Sequence, residues 1–452
     1  MAAIKVPETK YAQSGELSIA YQVFGDGQND LVYVPGIISH LEQYWEDPTM
    51  VNWFSQLGQH FRVIILDKRG QGLSDRIDSS ATLEDRIDDV NAVMQEAQSK
   101  SASLLGLSEG GPLCLLFAAT YPEKVERLML FGSMARFYGG DGYPYSPSYE
   151  AITSRLVPQF GKGAFAFMLG REGQVSQEDL DRVSRLERMS CSPSAFKKIL
   201  EANRLIDARP ILEHVVQPTL IVHRRGDKAV NFHSSRFMAE KIPNCTYLEL
   251  PTKSHLPNLD DTHNLVTAMV QFLGSTQVAA PQGKTHTRLS TALFTDIVQS
   301  TDKLLSMGDH TWRKTLDAHD AIAHQTVSDY RGRLVKNTGD GILAVFDGPV
   351  RALQCAQALI SALQKISLPI RAGLHVGEVI NRGGDVTGIA VNIAARVMDR
   401  AQPGQALLTK TVKDLTGGSN IEFRSLGDFE LKGLPEKFEL FTPCTANQSS
   451  RV

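Results

Sequence analysis

The sequence predicts an α/β protein of two domains: a mostly parallel sheet covered by helices on both faces and carrying a helical cap, then a βαββαβ core of ferredoxin-like order. Three observations predict it. Up to about Leu273, continuously apolar β-branched runs alternate with helical stretches. A small, polar, aperiodic stretch, "GSTQVAAPQGKTHT" (274–287), then reads as a linker. From about Arg288 to Pro443 the order becomes strand, long helix, hairpin, helix, strand, helix, strand. The length, 452 residues, also exceeds what one ordinary core organises.

In chain order, "DLVYVPG", "FRVIILDKRG", "SASLLGLSEGG", "VERLMLFGS", "PTLIVHRRGD" and "TYLELPTKSH" read as the strands of the first sheet. Strands apolar on both faces need cover on both sides, which the intervening helices supply. Between about Met134 and Arg209, sequence rich in glycine, tyrosine and proline gives way to charged helical sequence such as "SQEDLDRVSRLERM". That is the expected cap, inserted into a first domain spanning 1–273. In the second domain, 288–445, "STALFTDI" is the first strand and "PIRAGLHVGEVI" a later one. "VRALQCAQALISALQKI" places Leu353, Ala356, Ile360 and Leu363 on one helical face. Between them "LVKNTGDGILAVF" (334–346) predicts a tight hairpin, since Asp-Gly between apolar runs favours one. Gly25-Asp26-Gly27 repeats the tripeptide without a lysine four residues before its aspartate, so the turn alone marks no chemistry.

Composition excludes several classes. The net charge is −3 with scattered basic residues, unlike a surface built on nucleic-acid phosphates. Five widely spaced cysteines lack any Cys-x-x-Cys, which argues for reduced thiols, with Cys114 and Cys355 in the core. The N-terminus lacks the apolar run of a signal peptide, and Ser108 and Glu109 interrupt the most apolar segment. No membrane or nucleic-acid partner is expected, and the expected location is cytoplasmic. Gly283-Lys284-Thr285 lacks the earlier glycine and the preceding strand of a phosphate loop. His310, His319 and His324 read as solvated helix surface, without zinc-ligand spacing.

Gly106-x-Ser108-x-Gly110 follows an apolar strand and precedes a helical stretch, the setting in which a sharp turn exposes a serine hydroxyl. Asp227 in "HRRGDKAV" and His255 in "PTKSHLP" complete the chain order Ser, Asp, His. With "LDKRGQGLSD", these residues make positions 10–273 resemble an α/β-hydrolase. The resemblance implies Ser108 as nucleophile, His255 as general base and Asp227 as its orienting partner. The backbone amides of Ile37 and Glu109 would form the oxyanion hole, although Pro35-Gly36 stands where that family commonly has His-Gly. The implied ligand is a small molecule or ester of unknown identity, hydrolysed or sensed.

In the second domain, "FTDIVQST" ends a strand on Asp296, and the hairpin offers Lys336 four residues before Asp340. Paired carboxylates on neighbouring strand ends suit hard divalent cations around a polyphosphate. Asn392 and Arg396, at i and i+4, share a helix face, and Asp385 lies seven residues before Asn392. Together with a late "LKG", these spacings resemble a bacterial class III adenylyl cyclase over about Arg288 to Pro443. The resemblance implies two Mg²⁺ or Mn²⁺ ions per site on Asp296, Asp340 and the carbonyl of Ile297. Lys336 and Asp385 would select adenine, Asn392 position the ribose, Arg396 stabilise the α-phosphate and Lys432 contact the terminal phosphates. ATP would be converted to 3′,5′-cyclic AMP and pyrophosphate at sites shared across a homodimer. The competing expectation is a serine esterase whose second domain is a non-catalytic nucleotide-binding or dimerisation module.

Overall fold

The computed structural model describes residues 5–78, 80–170, 175–204, 206–257, 261–274, 287–382, 384–419 and 421–444. The chain forms two compact units, Met1–Gln282 and Gly283–Val452. Most of the expected linker, 275–286, including Gly283-Lys284-Thr285, lies outside the described residues.

The first unit is built on eight strands: β1 (Lys10–Ser14), β2 (Leu17–Phe24), β3 (Asn29–Val34), β4 (Phe61–Leu66), β5 (Ala102–Leu107), β6 (Val125–Phe131), β7 (Thr219–Arg224) and β8 (Cys245–Leu250). Their order in the sheet is β1-β2-β4-β3-β5-β6-β7-β8. From β4 to β8 neighbouring strands run parallel, and β1 and β2 add an antiparallel edge. The central β5 and β7 are buried at every residue, which is why they read as unbroken apolar runs. The β1–β2 pair escaped the sequence reading because "KYAQS" is an edge strand with polar residues on its open face. The helix Gly110–Thr120 is buried on all sides, so the most apolar segment of the chain is core. No helix among the described residues is long and apolar enough to cross a membrane.

Between β6 and β7 stand the helices Tyr149–Leu156, Gln177–Ser190 and Pro193–Asn203, with an aromatic cluster in which Phe160 stacks on Phe196 at 4.1 Å. This cap is fastened to the sheet domain by main-chain bonds. The amide of Gly72 donates to Ser190 O (2.8 Å), and that of His255 donates to Met168 O (2.8 Å). Glu187, fully buried, accepts from the amides of Gly161 (2.6 Å), Gly163 (3.1 Å) and Phe165 (2.9 Å), and so shapes the loop that reaches toward Ser108.

The second unit has β9 (Thr287–Ile297), β10 (Arg333–Asn337), β11 (Ile342–Phe346), β12 (Ile370–Arg382), β13 (Asp385–Thr387), β14 (Ala406–Thr409), β15 (Phe423–Glu430) and β16 (Lys437–Pro443). The order β10-β11-β9-β12 is that of a ferredoxin-like core, extended by β14-β16-β15, with β13 paired to β12. The expected long first helix is two helices, Ser300–Met307 and Asp309–Asp329, broken at Gly308, whose φ is 72°. His319 corrects the sequence reading: it is buried with Trp312, Ala323 and Val327 on the inner face of the second helix. His310 and His324 are exposed. Cys114 and Cys355 are both fully buried, and burial pushes the Cys355 thiol up to about 12.

Candidate active sites

Ser108 occupies the turn between β5 and the helix Gly110–Thr120 with a left-handed φ of 53°. A side chain strained in this way must be held from outside. The amide of Ser108 donates to Phe131 O (2.9 Å), and Ser133 Oγ donates to Ser108 O (2.8 Å). The flanking glycines are steric requirements. A Cβ on Gly110 would stand 2.6 Å from Val34 O, and one on Gly106 would stand 3.0 Å from Cys114 Sγ.

Asp227 and His255 follow β7 and β8, and His255 Nδ1 lies 2.7 Å from Asp227 Oδ2. The other carboxylate oxygen accepts from the amides of Ala229 (2.7 Å) and Val230 (3.2 Å). Burial opposes the charge of Asp227, but the facing imidazoles of His255 and His223 outweigh it and hold the carboxyl well below the usual range. With Nδ1–H given to the carboxylate, Nε2 is the proton acceptor. Among the described residues it is buried without a partner, and His255 lines the same cavity as Ser108, about 330 Å³ in volume. The wall is largely apolar, including Ile37, Tyr44, Met50, Phe165, Met168 and Leu186. Among the described residues no carbonyl or side chain occupies the amides of Ile37 or Glu109.

Further buried polar side chains surround this triad. His223, buried in β7, reaches Asp227 Oδ2 at 3.3 Å and Ser235 Oγ at 2.6 Å. Under the serine turn, the Glu109 carboxylate is bonded by Lys68 and, at 2.5 Å, by Arg86. Lys68 also donates to Gly36 O (2.6 Å), and Arg86 to Asn203 Oδ1 of the cap (3.1 Å). Burial disfavours the Glu109 charge, yet its two cations more than compensate and keep its carboxyl below the ordinary value. Lys68 lies within the "LDKRGQGLSD" segment, but neither its partner nor that of Arg86 is visible in the sequence.

In the second unit, Asp296 ends β9 and Asp340 sits in the β10–β11 turn, fastened there because the amide of Ile297 donates to Asp340 O (2.7 Å). Burial and the neighbouring Asp340 carboxylate raise the Asp296 carboxyl against the opposing pull of Arg371. Arg371, directly opposite Asp296 in the β9–β12 register, bonds it at 2.6 Å, while Ser300 Oγ donates to Asp340 Oδ2 (2.6 Å). Ser300 belongs to the "FTDIVQST" segment, whereas Arg371 lies in the strand "PIRAGLHVGEVI", outside the site motifs. Register opposite a motif aspartate is the signal that finds Arg371. The donor set fits a hard cation, because the two adjacent carboxylates repel each other even with Arg371 bonded to Asp296. Among the described residues no third His, Cys, Asp or Glu joins them, which leaves further positions to carbonyl, water and phosphate oxygens.

Lys336 and Asp385, both half-exposed, bond each other at 2.8 Å, and the lysine holds the Asp385 carboxyl below its ordinary range. Asn392 and Arg396 project to solvent from the helix Ile389–Asp399, whose opposite face is buried. That helix packs on β12 at Gly373, where a Cβ would stand 2.2 Å from Met398 N. Lys432 is exposed at the β15–β16 turn. Among the described residues no hydrogen bond or ion pair joins Asp296 and Asp340 to Lys336 and Asp385, to Asn392 and Arg396, or to Lys432.

Residues 30–262 match the family described as alpha/beta hydrolase fold, and residues 284–442 match the adenylate and guanylate cyclase catalytic domain. The chain is 25% identical over 275 residues to a pimeloyl-[acyl-carrier protein] methyl ester esterase of Nitrosospira multiformis, covering 57% of this chain and 99% of the relative. It is 28% identical over 130 residues to "Putative adenylate cyclase 3" of Rhizobium meliloti, which is 27% of this chain and 22% of that protein. Among solved structures, an esterase from Exiguobacterium antarcticum shares the first fold with a TM-score of 0.52 and 22% identity, over 59% of this chain and all (100%) of that one.

Proposed function

Since the chain belongs to the alpha/beta hydrolase family and carries behind that domain an adenylate and guanylate cyclase catalytic domain, we propose that it is an enzyme with two activities, an adenylyl cyclase and a serine hydrolase. The observation that carries the cyclase reading is the pairing of Asp296 with Asp340 at one sheet end while Lys336 and Asp385 hold each other elsewhere on the same chain. Asp296, Asp340 and the Ile297 carbonyl would hold Mg²⁺ or Mn²⁺. When bound, such ions acidify the ribose 3′-hydroxyl and neutralise the phosphates.

The residues then divide the work. Lys336 donates to adenine N1 and Asp385 accepts from its exocyclic amine, so a guanine edge would leave both unpaired. Asn392 orients the ribose, and Arg396 stabilises the charge that grows on the α-phosphate as the 3′-oxygen displaces pyrophosphate. Two protomers complete each site, one giving Asp296 and Asp340 and its partner the other four residues, with Lys432 on the terminal phosphates. Incubating the full chain with ATP and Mn²⁺ and assaying cyclic AMP tests this. Product that persists in Asp296→Ala would discard the mechanism.

In the first domain Ser108 Oγ attacks the ester carbonyl carbon while His255 Nε2 takes its proton. The alcohol leaves with that proton, and water then releases the acid. The unpaired Nε2 in the wall of the apolar cavity supports this reading. Turnover of p-nitrophenyl butyrate that survives Ser108→Ala would remove it.

A further inference from the structure

The buried cluster beneath Ser108 has no part in proton transfer, yet it touches both peptides that would bind the oxyanion. Gly36 O and the Ile37 amide belong to one planar trans peptide and point to opposite sides, so fixing the oxygen fixes the donor. Lys68 Nζ fixes that oxygen at 2.6 Å. The peptide lies against the nucleophile, since a Cβ on Gly36 would stand 3.3 Å from Ser108 Cβ. The second donor is the amide of Glu109, whose side chain is held by the same ammonium.

We infer that Lys68 is the positioning residue of the oxyanion hole: one buried ammonium ties the Gly36–Ile37 peptide to Glu109 and so sets both amide donors relative to Ser108. The inference rests on the serine-hydrolase reading.

The contrast between the two cations makes the test. Lys68→Met leaves Arg86 and Glu109 as a neutral pair but frees Gly36 O. Arg86→Met leaves Lys68 on both Glu109 and Gly36. A purely structural network predicts similar consequences for the two variants.

With the full chain and p-nitrophenyl butyrate, Lys68→Met is expected to lose about ten- to a hundredfold in kcat with KM changed less than about threefold. The inhibition constant of butylboronic acid, whose adduct on Ser108 is a tetrahedral anion, should weaken by the same factor. Arg86→Met should keep kcat within about threefold. Equal losses in the two variants, a loss carried by KM, or an unchanged Lys68→Met would overturn the inference. If Lys68→Met does not fold, Lys68→Leu, which likewise has no donor for Gly36 O, is judged by the same kcat criterion. A wild-type chain without Ser108-dependent turnover would end the hydrolase reading and this inference together. Normal wild-type turnover with a normal Lys68 variant would end this inference alone.

Discussion

Asp227 shows how much a single carboxylate can be asked to do. It accepts two amides on one oxygen and faces two imidazoles on the other, so its charge is required by the fold as well as by His255. Asp227→Asn should therefore cut ester turnover by about 10³–10⁴-fold in kcat, through the wrong imidazole tautomer. The depressed carboxyls of Asp227 and Glu109 also set a pH dependence. Their stabilisation is complete above the unfolded carboxylate value of about 4 and is lost as the pH falls from there through their lower folded values. Urea midpoints of the first transition should accordingly hold between about pH 6 and 5 and drop steeply below about pH 4. Asp296 has the opposite sign, since its raised carboxyl means that ionisation works against folding. Asp340→Asn should relieve that repulsion, keep an acceptor for Ser300, and raise the cation-free Tm of the second domain by about 2 °C while abolishing cyclic AMP formation. Residues of this kind divide in legibility. Ser108, Asp227 and His255 could be read because their chemistry needs particular types in a particular order. Lys68, Arg86 and His223 could not, because a cation or a histidine is assigned to solvent by default until the buried partner it faces is known.

At the scale of elements, the second domain depends on one close approach. The helix bearing Asn392 and Arg396 lies so near β12 that Gly373 has no room for a methyl group. Gly373→Ala should cost roughly 1–3 kcal/mol and lower cyclase activity, although residue 373 is not among the proposed nucleotide contacts. Urea melts alongside cyclic AMP rates check this. In the first domain, Glu187→Ala should destabilise by roughly 2–4 kcal/mol by stranding three amides of the cap loop. Protease cleavage within the cap should then accelerate. The parallel strands were legible because burial on both faces writes an unbroken apolar run. β13, β15 and β16 were not, since three residues carry no periodicity and β15 is largely exposed along its length. Gly308 was the readable but unread signal for the break in the long helix.

For the whole molecule, the proposed division of residues between protomers has a measurable signature. Asp296→Ala and Arg396→Ala should each be inactive as cyclases. Mixed and allowed to exchange, they should recover about a quarter of wild-type activity, because half of the dimers regain one of two sites. Cyclase activity per chain should also rise with protein concentration while ester hydrolysis stays proportional to it. The two-part organisation was legible from a change in composition, and the fold of each part from strand order. How the cap joins the sheet was not, because those bonds connect residues far apart along the chain, such as Gly72 with Ser190. That seam has a practical meaning for engineering. Hydrolases are often imagined as a constant base with interchangeable lids, but here Asn203 of the lid is wired through Arg86 to the charge cluster behind the nucleophile. A transplanted lid without an equivalent acceptor would leave a buried guanidinium short of a partner, so specificity redesign in this protein has to carry residue 203 along or retune Arg86 with it.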